Sequence, residues 1–138
     1  MKTFPAVAVL ALSIVALAAC QTEKRPVNPG GGTSGKSASL RAMEQVAIAA
    51  HRCWIASKDK AFAKYSMANE LNNFGGTPRF LLVPKSNYGG RPLLVVQARG
   101  QSSQVEVFGP LMDEAVGSRI NADIARWRTG NPSCGSAA

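Results

Sequence analysis

Apolar residues fall along this chain in four patterns, and each predicts a different element. The first is nearly unbroken. Phe4 to Ala16 is rich in Ala, Val, Leu and Ile and follows Met1 and Lys2. A positive start, an apolar stretch and small residues at its end are the three parts of an export signal. The stretch is short for a membrane span. The second pattern steps by three and four: Leu40, Met43, Val46, Ala47, Ala50, Cys53 and Trp54. It predicts a helix from about Ser39 with one apolar face. Ser37 or Ser39 can cap its start, and Ser57-Lys58-Asp59-Lys60 ends it.

The third pattern is β-like. Tyr65, Met67, Asn69 and Leu71 alternate with Ser66, Ala68 and Glu70, and Asn72 to Gly76 is turn material. Arg79 to Val83 and Leu93 to Ala98 are compact apolar runs suited to central strands, bounded by Pro84 and Pro92. Gly100 to Ser103 makes a turn, and Gln104 to Phe108 alternates as a fourth strand. The fourth pattern predicts a closing helix. Pro110 stands at its first turn, Asp113 and Glu114 lie near the positive dipole end, and Arg126 and Arg128 lie near the negative end. Met112, Val116, Ile120, Ile124 and Trp127 form its stripe, and Gly130 and Pro132 stop it.

The order predicts an α+β domain: helix, four-stranded antiparallel meander, helix, with both helices packed on one face of the sheet. This element order resembles that of the carboxy-terminal domains of TonB and TolA. The resemblance implies a fold and no activity.

Between the leader and the first helix, Gln21 to Ser37 holds Pro26, Pro29, four glycines and charges, with no apolar periodicity. It reads as a tether with an r.m.s. span of roughly 20–25 Å. Gly30-Gly31-Gly32-Thr33-Ser34-Gly35-Lys36-Ser37 matches the phosphate-binding pattern G-x-x-x-x-G-K-S. That motif needs a buried hydrophobic strand before it, and Glu23 to Pro29 cannot be one. The match reads as linker composition, and no nucleotide site is expected.

Leu17-Ala18-Ala19-Cys20, at the end of the apolar leader, resembles the lipobox of bacterial lipoprotein precursors. The resemblance implies cleavage before Cys20, a diacylglycerol on its thiol, and further acylation such as palmitate. Two or more chains anchor stably where one is marginal. Gln21, rather than the Asp that retains lipoproteins of enteric bacteria on the inner membrane, implies an outer-membrane site facing the periplasm. An uncleaved membrane helix and ordinary secretion with a free Cys20 are the competing readings of the leader. The expected organisation is a signal peptide over 1–19, lipidated cysteine and tether over 20–37, and one domain over 38–138. With Cys20 assigned to lipid, Cys53 and Cys134 remain as a pair, most simply a disulfide in an oxidising compartment. The loop it closes gives about 4 kcal/mol in the chain-entropy account.

Chemistry is sparse. His51 is the single histidine. With Cys53 and Cys134 it makes the only soft-ligand set, so no metal and no cofactor are expected. No G-x-S-x-G elbow exists, Ser102 and Ser103 lie in a turn without a local partner, and no catalytic residue is assigned. Glu70 and Glu106 fall on strands as solvent-facing partners for Lys or Arg. Trp54 and Trp127 lie on apolar stripes and read as core.

Formal net charge is +8, and removing Lys2 with the leader leaves +7. Lys58, Lys60, Lys64, Arg79, Lys85, Arg91 and Arg99 fall on the strand region and its loops. Scattered solubilising charge explains them as well as a binding surface does. A basic domain held at a membrane favours anionic headgroups, lipopolysaccharide, wall polymers or an acidic partner. Nucleic acid suits the charge but not the compartment. The expected role is a non-enzymatic envelope lipoprotein that binds a protein partner or an anionic envelope polymer. The alternatives are a small envelope hydrolase with an unrecognised site and an accessory subunit of an envelope or secretion machine.

Overall fold

The computed structural model describes residues Gly35 to Gly135. The leader, Cys20 and the tether up to Ser34 lie outside the described residues, as does most of the phosphate-loop-like stretch. Among the described residues no helix is long and apolar enough to cross a membrane.

Helix α1 spans Ala38–Ala50. Ser37 caps it, accepting from the Leu40 backbone N–H at 3.1 Å. Ser39 is instead buried, and its hydroxyl donates to the Gly100 carbonyl at 2.6 Å. The start of α1 is thereby fastened beside the last hairpin. The expected stripe is in place, with Met43, Val46, Ala47, Ala50, Cys53 and Trp54 all buried. Its last turn is not α-helical: His51–Ala56 is a π-helical turn. Such turns take one residue more than an α-turn and recur at functional sites. Lys58 follows with φ +58°, making it the only non-glycine with positive φ among the described residues.

Four strands follow: β1 Tyr65–Glu70, β2 Arg79–Pro84, β3 Leu94–Ala98 and β4 Val105–Phe108. They form an antiparallel sheet in the order β1-β2-β3-β4. The fold class is therefore α+β. Alternation divides the two faces. Tyr65, Phe80, Leu82, Leu94, Val96 and Ala98 join the core with both helices. The register places Glu70 opposite Arg79, and Gln97 opposite both Arg79 and Glu106, in one polar row on the other face. Glu70 accepts from Arg79 at 2.5 Å, and Glu106 lies 3.5 Å from Arg99. Both glutamates thus serve as surface partners for arginine.

The closing helix is shorter than its sequence pattern. Pro110–Asp113 forms a separate 3-10 turn, Glu114 is extended, and α2 runs Gly117–Arg128. The reason is angular. Leu111 and Ile120 are both wholly buried. Nine residues of continuous helix would set them about 180° apart at ~100° per residue. Breaking the helix turns Leu111 inward. Asp113 and Glu114 consequently do not charge the first turn of α2. The break is accommodated at Gly117, where a Cβ would collide with the Met112 carbonyl, while Gly109, with φ +128°, leads into the 3-10 turn and would place a Cβ 2.5 Å from the Leu93 carbonyl oxygen.

Helix α2 lies chiefly against α1 and the Pro110–Asp113 turn. The core between them is aromatic. Trp54 stacks on Phe62 at 4.6 Å between centroids, meets Trp127 at 5.0 Å and turns its edge toward Phe80 at 6.3 Å. Such pairs contribute ~0.5–1.5 kcal/mol each beyond the area they bury. Cys53 and Cys134 are bonded, with Cα atoms 5.3 Å apart. The tail leading to Cys134 is also held by hydrogen bonds. The Ser133 carbonyl accepts from Arg126 Nε at 2.9 Å and from Trp127 Nε1 at 3.0 Å.

Candidate functional site

The strand register gives the domain two unlike ends. At one end lie the β1–β2 loop, the β3–β4 turn and the start of α1, which is tied to that turn by the bond from Ser39 to Gly100. At the other lie the start of β1, the end of β2 and the residues after the π turn. Tyr65 pairs with Pro84, and the Lys85 N–H donates to the Lys64 carbonyl at 3.0 Å. This brings together cations that are far apart in sequence.

The basic residues divide between these ends. At the α1-start end three are paired and Arg41, which donates to the Lys36 carbonyl, has no ion-pair partner among the described residues. Lys36 meets Glu44 at 2.7 Å, and Arg79 and Arg99 meet the two glutamates described above. At the opposite end, Lys58, Lys60, Lys64 and Lys85 have no ion-pair partner among the described residues. Arg91, on the β2–β3 loop, is likewise unpaired there. Arg79 and Arg99 therefore separate from the group of seven, and four of the remaining five are lysines grouped at one end.

The lysines surround shallow grooves. One, of about 320 Å³, is lined by Trp54, Ile55, Lys58, Phe62, Tyr65 and Lys85, with Asp59 and Ala63 completing it. A neighbouring one, of about 490 Å³, includes Lys58, Lys60, Arg119 and both bridged cysteines. The first combines aromatic and aliphatic lining with two lysines, Lys58 and Lys85. Lys58 holds its place at a conformational cost, because a left-handed backbone disfavours any residue with a Cβ.

Two of the acids near this end are committed. Asp59 accepts from Arg119 at 2.6 Å and from the Ala61 N–H at 2.9 Å. The Arg119 hydrogen bond, reinforced by the one from Ala61, holds the Asp59 carboxyl below the usual carboxylate range despite partial burial. Its partner Arg119 is correspondingly raised, chiefly by the hydrogen bond to Asp59. Asp123, only 2% exposed, accepts from Trp54 Nε1 at 2.8 Å and pairs with Arg126. Arg119 Nε lies 3.6 Å from it, beyond hydrogen-bond range. This chain of ions fastens the residues after the π turn to α2. Asp113 and Glu114 have no ion-pair partner among the described residues, and Glu114 lies in a groove with Lys64. The Lys64 ammonium sits 5.3 Å from the Tyr65 ring centre. Its pKa is raised first by the hydrogen bond to Tyr65, then by the charges of Tyr65 and Glu114.

His51 is exposed and shares a different groove, of about 460 Å³, with Lys36, Glu44, Ala47, Ile48, Asn69 and Leu71. Both Glu44 oxygens accept from Lys36, at 2.7 and 2.9 Å. No hydroxyl or thiol lines that groove. His51 does not meet Cys53 and Cys134 as a ligand set, because their sulfurs are bonded to each other. No cluster of metal-ligating residues occurs among the described residues. Ser102 and Ser103 are exposed, with Ser102 Oγ accepting from the Gln104 N–H at 3.0 Å. Lys36 and Ser37, the last residues of the phosphate-loop-like stretch, are engaged with Glu44 and the α1 cap.

No protein-family model, no curated protein and no solved structure matches this chain. The site therefore stands on its geometry. Sequence reasoning reached the lysines one by one but not their grouping, which depends on the pairing of Tyr65 with Pro84. It missed the Asp59–Arg119–Asp123 chain altogether. The one sequence signal for the site was the spacing of Lys58, Lys60 and Lys64 with Asp59 as the sole acid among them.

Proposed function

We propose that this chain is a lipoprotein of the bacterial envelope, anchored through Cys20, whose basic domain binds an anionic envelope polymer in a non-enzymatic role. The observation that supports the reading is the grouping of unpaired lysines around shallow grooves at one end of the domain. Lys36, Arg79 and Arg99 each meet a glutamate, while Lys58, Lys60, Lys64 and Lys85 have no ion-pair partner among the described residues. Lysine suits this task, because a compact ammonium on a flexible stem meets irregularly spaced charges without demanding one geometry. Clustered exposed charge raises encounter rates with a polyanion and is screened by salt.

The test is binding of the purified protein to a soluble anionic polysaccharide at two ionic strengths. Binding should weaken several-fold between ~0.05 and ~0.3 M salt as the Debye length shortens. It should fall further in a Lys58→Gln, Lys60→Gln, Lys85→Gln triple variant. Arg79→Gln, which removes a paired cation, should leave binding unchanged. Equal loss in both variants would sink the reading.

A protein partner is favoured by a different surface. Ile48 is exposed on α1 beside Leu71, and Phe74 stands fully exposed on the neighbouring loop. Ile48→Asp should abolish capture of such a partner in detergent extracts without weakening polysaccharide binding. Capture that survives Ile48→Asp would refute this second reading.

A further inference from the structure

The sheet has two outer edges, and they are not alike. Strand order leaves β1 and β4 each paired on one side only. Such an edge presents a row of free N–H and C=O groups, which proteins blunt with a charge, a proline or a very short strand. Strand β4 is blunted. It has four residues, ends at Gly109-Pro110 and carries Glu106 within it. Its outward backbone groups belong to Val105 and Val107, and pairing both with a second copy would set Glu106 opposite Glu106. Strand β1 has six residues, no proline and no charge before its last residue.

The free groups of β1 follow from the ladder. The Lys85 N–H donates to the Lys64 carbonyl, and the Ala98 N–H donates to the Pro78 carbonyl. Bonded pairs alternate along an antiparallel ladder. Lys64, Ser66, Ala68 and Glu70 therefore bond to β2. Tyr65, Met67 and Asn69 turn N–H and C=O outward, where no strand lies among the described residues.

From this edge we propose that the domain self-associates, with β1 pairing antiparallel to β1 of a second copy about a two-fold axis at Met67. Outward residues meet outward residues in that register: Met67 meets Met67, and Tyr65 meets Asn69 of the second copy. Charge complementarity selects it. Lys64 comes opposite Glu70 of the second copy, and symmetry repeats the pair. Lys64 has no ion-pair partner among the described residues, and only Oε2 of Glu70 is taken by Arg79. Moving the axis to Ser66 or Ala68 would keep the backbone bonds but set Lys64 opposite Ala68 or Asn72. Between the charges, Ser66 faces Ala68, and both are small. The same register carries Leu71, in the groove beside Ile48, opposite the exposed Ala63 of the second copy. A single strand pairing buries little area, so the contact belongs with weak interfaces and dissociates on dilution.

The experiment uses the full chain purified from membranes in excess detergent, as an equal mixture of unlabelled and heavy-nitrogen-labelled protein. A carbodiimide joins an amine to a carboxylate only when they touch. Within one chain Lys64 and Glu70 stand about 20 Å apart at ~3.3 Å per residue, so a bond between them joins two chains. The expected result is a Lys64–Glu70 cross-link of mixed light and heavy mass, with a yield that rises with protein concentration. Asn69→Pro removes an outward N–H that β2 does not use, a position where an edge strand tolerates proline. It should cut the yield several-fold and leave the urea midpoint unchanged. A charge swap gives a second measurement that does not alter the backbone. In sedimentation equilibrium in density-matched detergent, Lys64→Glu and Glu70→Lys should each weaken association several-fold, and the double variant should restore it. A protein that stays monomeric up to the millimolar range would overturn the proposal. So would a dimer cross-linked through other residues, or a double variant no better than the single ones.

Discussion

Removing the Cys53–Cys134 bridge should cost this domain about 4 kcal/mol, and nearly all of that should come from the unfolded chain. The bridge closes a loop of 81 residue steps. In the chain-entropy account a loop of that length restricts the unfolded ensemble by about 4 kcal/mol at 25 °C. The folded state should change little. Ser133 remains bound to Arg126 and Trp127, and Cys53, buried on the α1 stripe, packs as a small apolar residue when reduced. A domain of this size has ~5–15 kcal/mol in all, so the reduced form should still fold but with a narrow margin. The assay is urea denaturation of the oxidised protein and of the Cys53→Ala, Cys134→Ala double variant, followed by tryptophan fluorescence of Trp54 and Trp127. With a slope of ~1–2 kcal/mol per molar urea, the midpoint should fall by roughly 2–4 M. The slope itself should rise in the variant, because an unbridged unfolded chain exposes more surface. A midpoint shift equivalent to under ~1 kcal/mol would refute the reasoning, since the bridge would then offset its gain by straining the native state.

Other substitutions separate stability from binding. Lys58→Gly should raise the midpoint by up to ~1 kcal/mol, because glycine accepts the left-handed backbone freely, and should weaken polysaccharide binding. Loss of stability instead would show that the Lys58 stem packs on the groove it borders. Gly109→Ala should cost ~1–3 kcal/mol or more, from a positive φ and a collision with the Leu93 carbonyl, read by the same urea assay. Asp59 is held below the ordinary carboxylate range by Arg119. It therefore stabilises the fold above about pH 4, and that contribution is lost as pH falls through its lowered folded value. Asp59→Asn should lower stability at pH 7 and flatten the acid side of the stability–pH curve. An unchanged acid limb would show that Asp59 contributes nothing there.

The fold was largely legible because its signals are local. Arg79 to Val83 and Leu93 to Ala98 are apolar runs closed by prolines, and each became a central strand. The α1 stripe from Met43 to Trp54 buries as its spacing predicts. What failed was a boundary set by tertiary demand. Pro110, Asp113 and Glu114 form a good helix start, yet burial of both Leu111 and Ile120 on one core forbids a continuous helix. The π turn was equally hidden, since His51 to Ala56 carries no breaker. The candidate site was legible only as an inventory. Lys64 and Lys85 stand far apart in the chain and become neighbours through strand pairing. Arg79 and Arg99 look no different in sequence but meet glutamates across the sheet.

The disulfide also sets how the domain answers tension. If the tether pulls at Ser37 while a polymer holds the lysines, force runs along α1 into the π turn and reaches Cys53. There the covalent ring to Cys134 takes it into the tail beyond α2. The residues from Ser37 to Arg52 lie between that point of pull and the ring. The chain can pay out those 16 residues, which extend to roughly 55 Å at ~3.3–3.6 Å each, before the pull meets a covalent stop. Sheet, the four lysines and α2 all lie within the ring, so that end of the domain stays closed after the residues before Cys53 have unravelled.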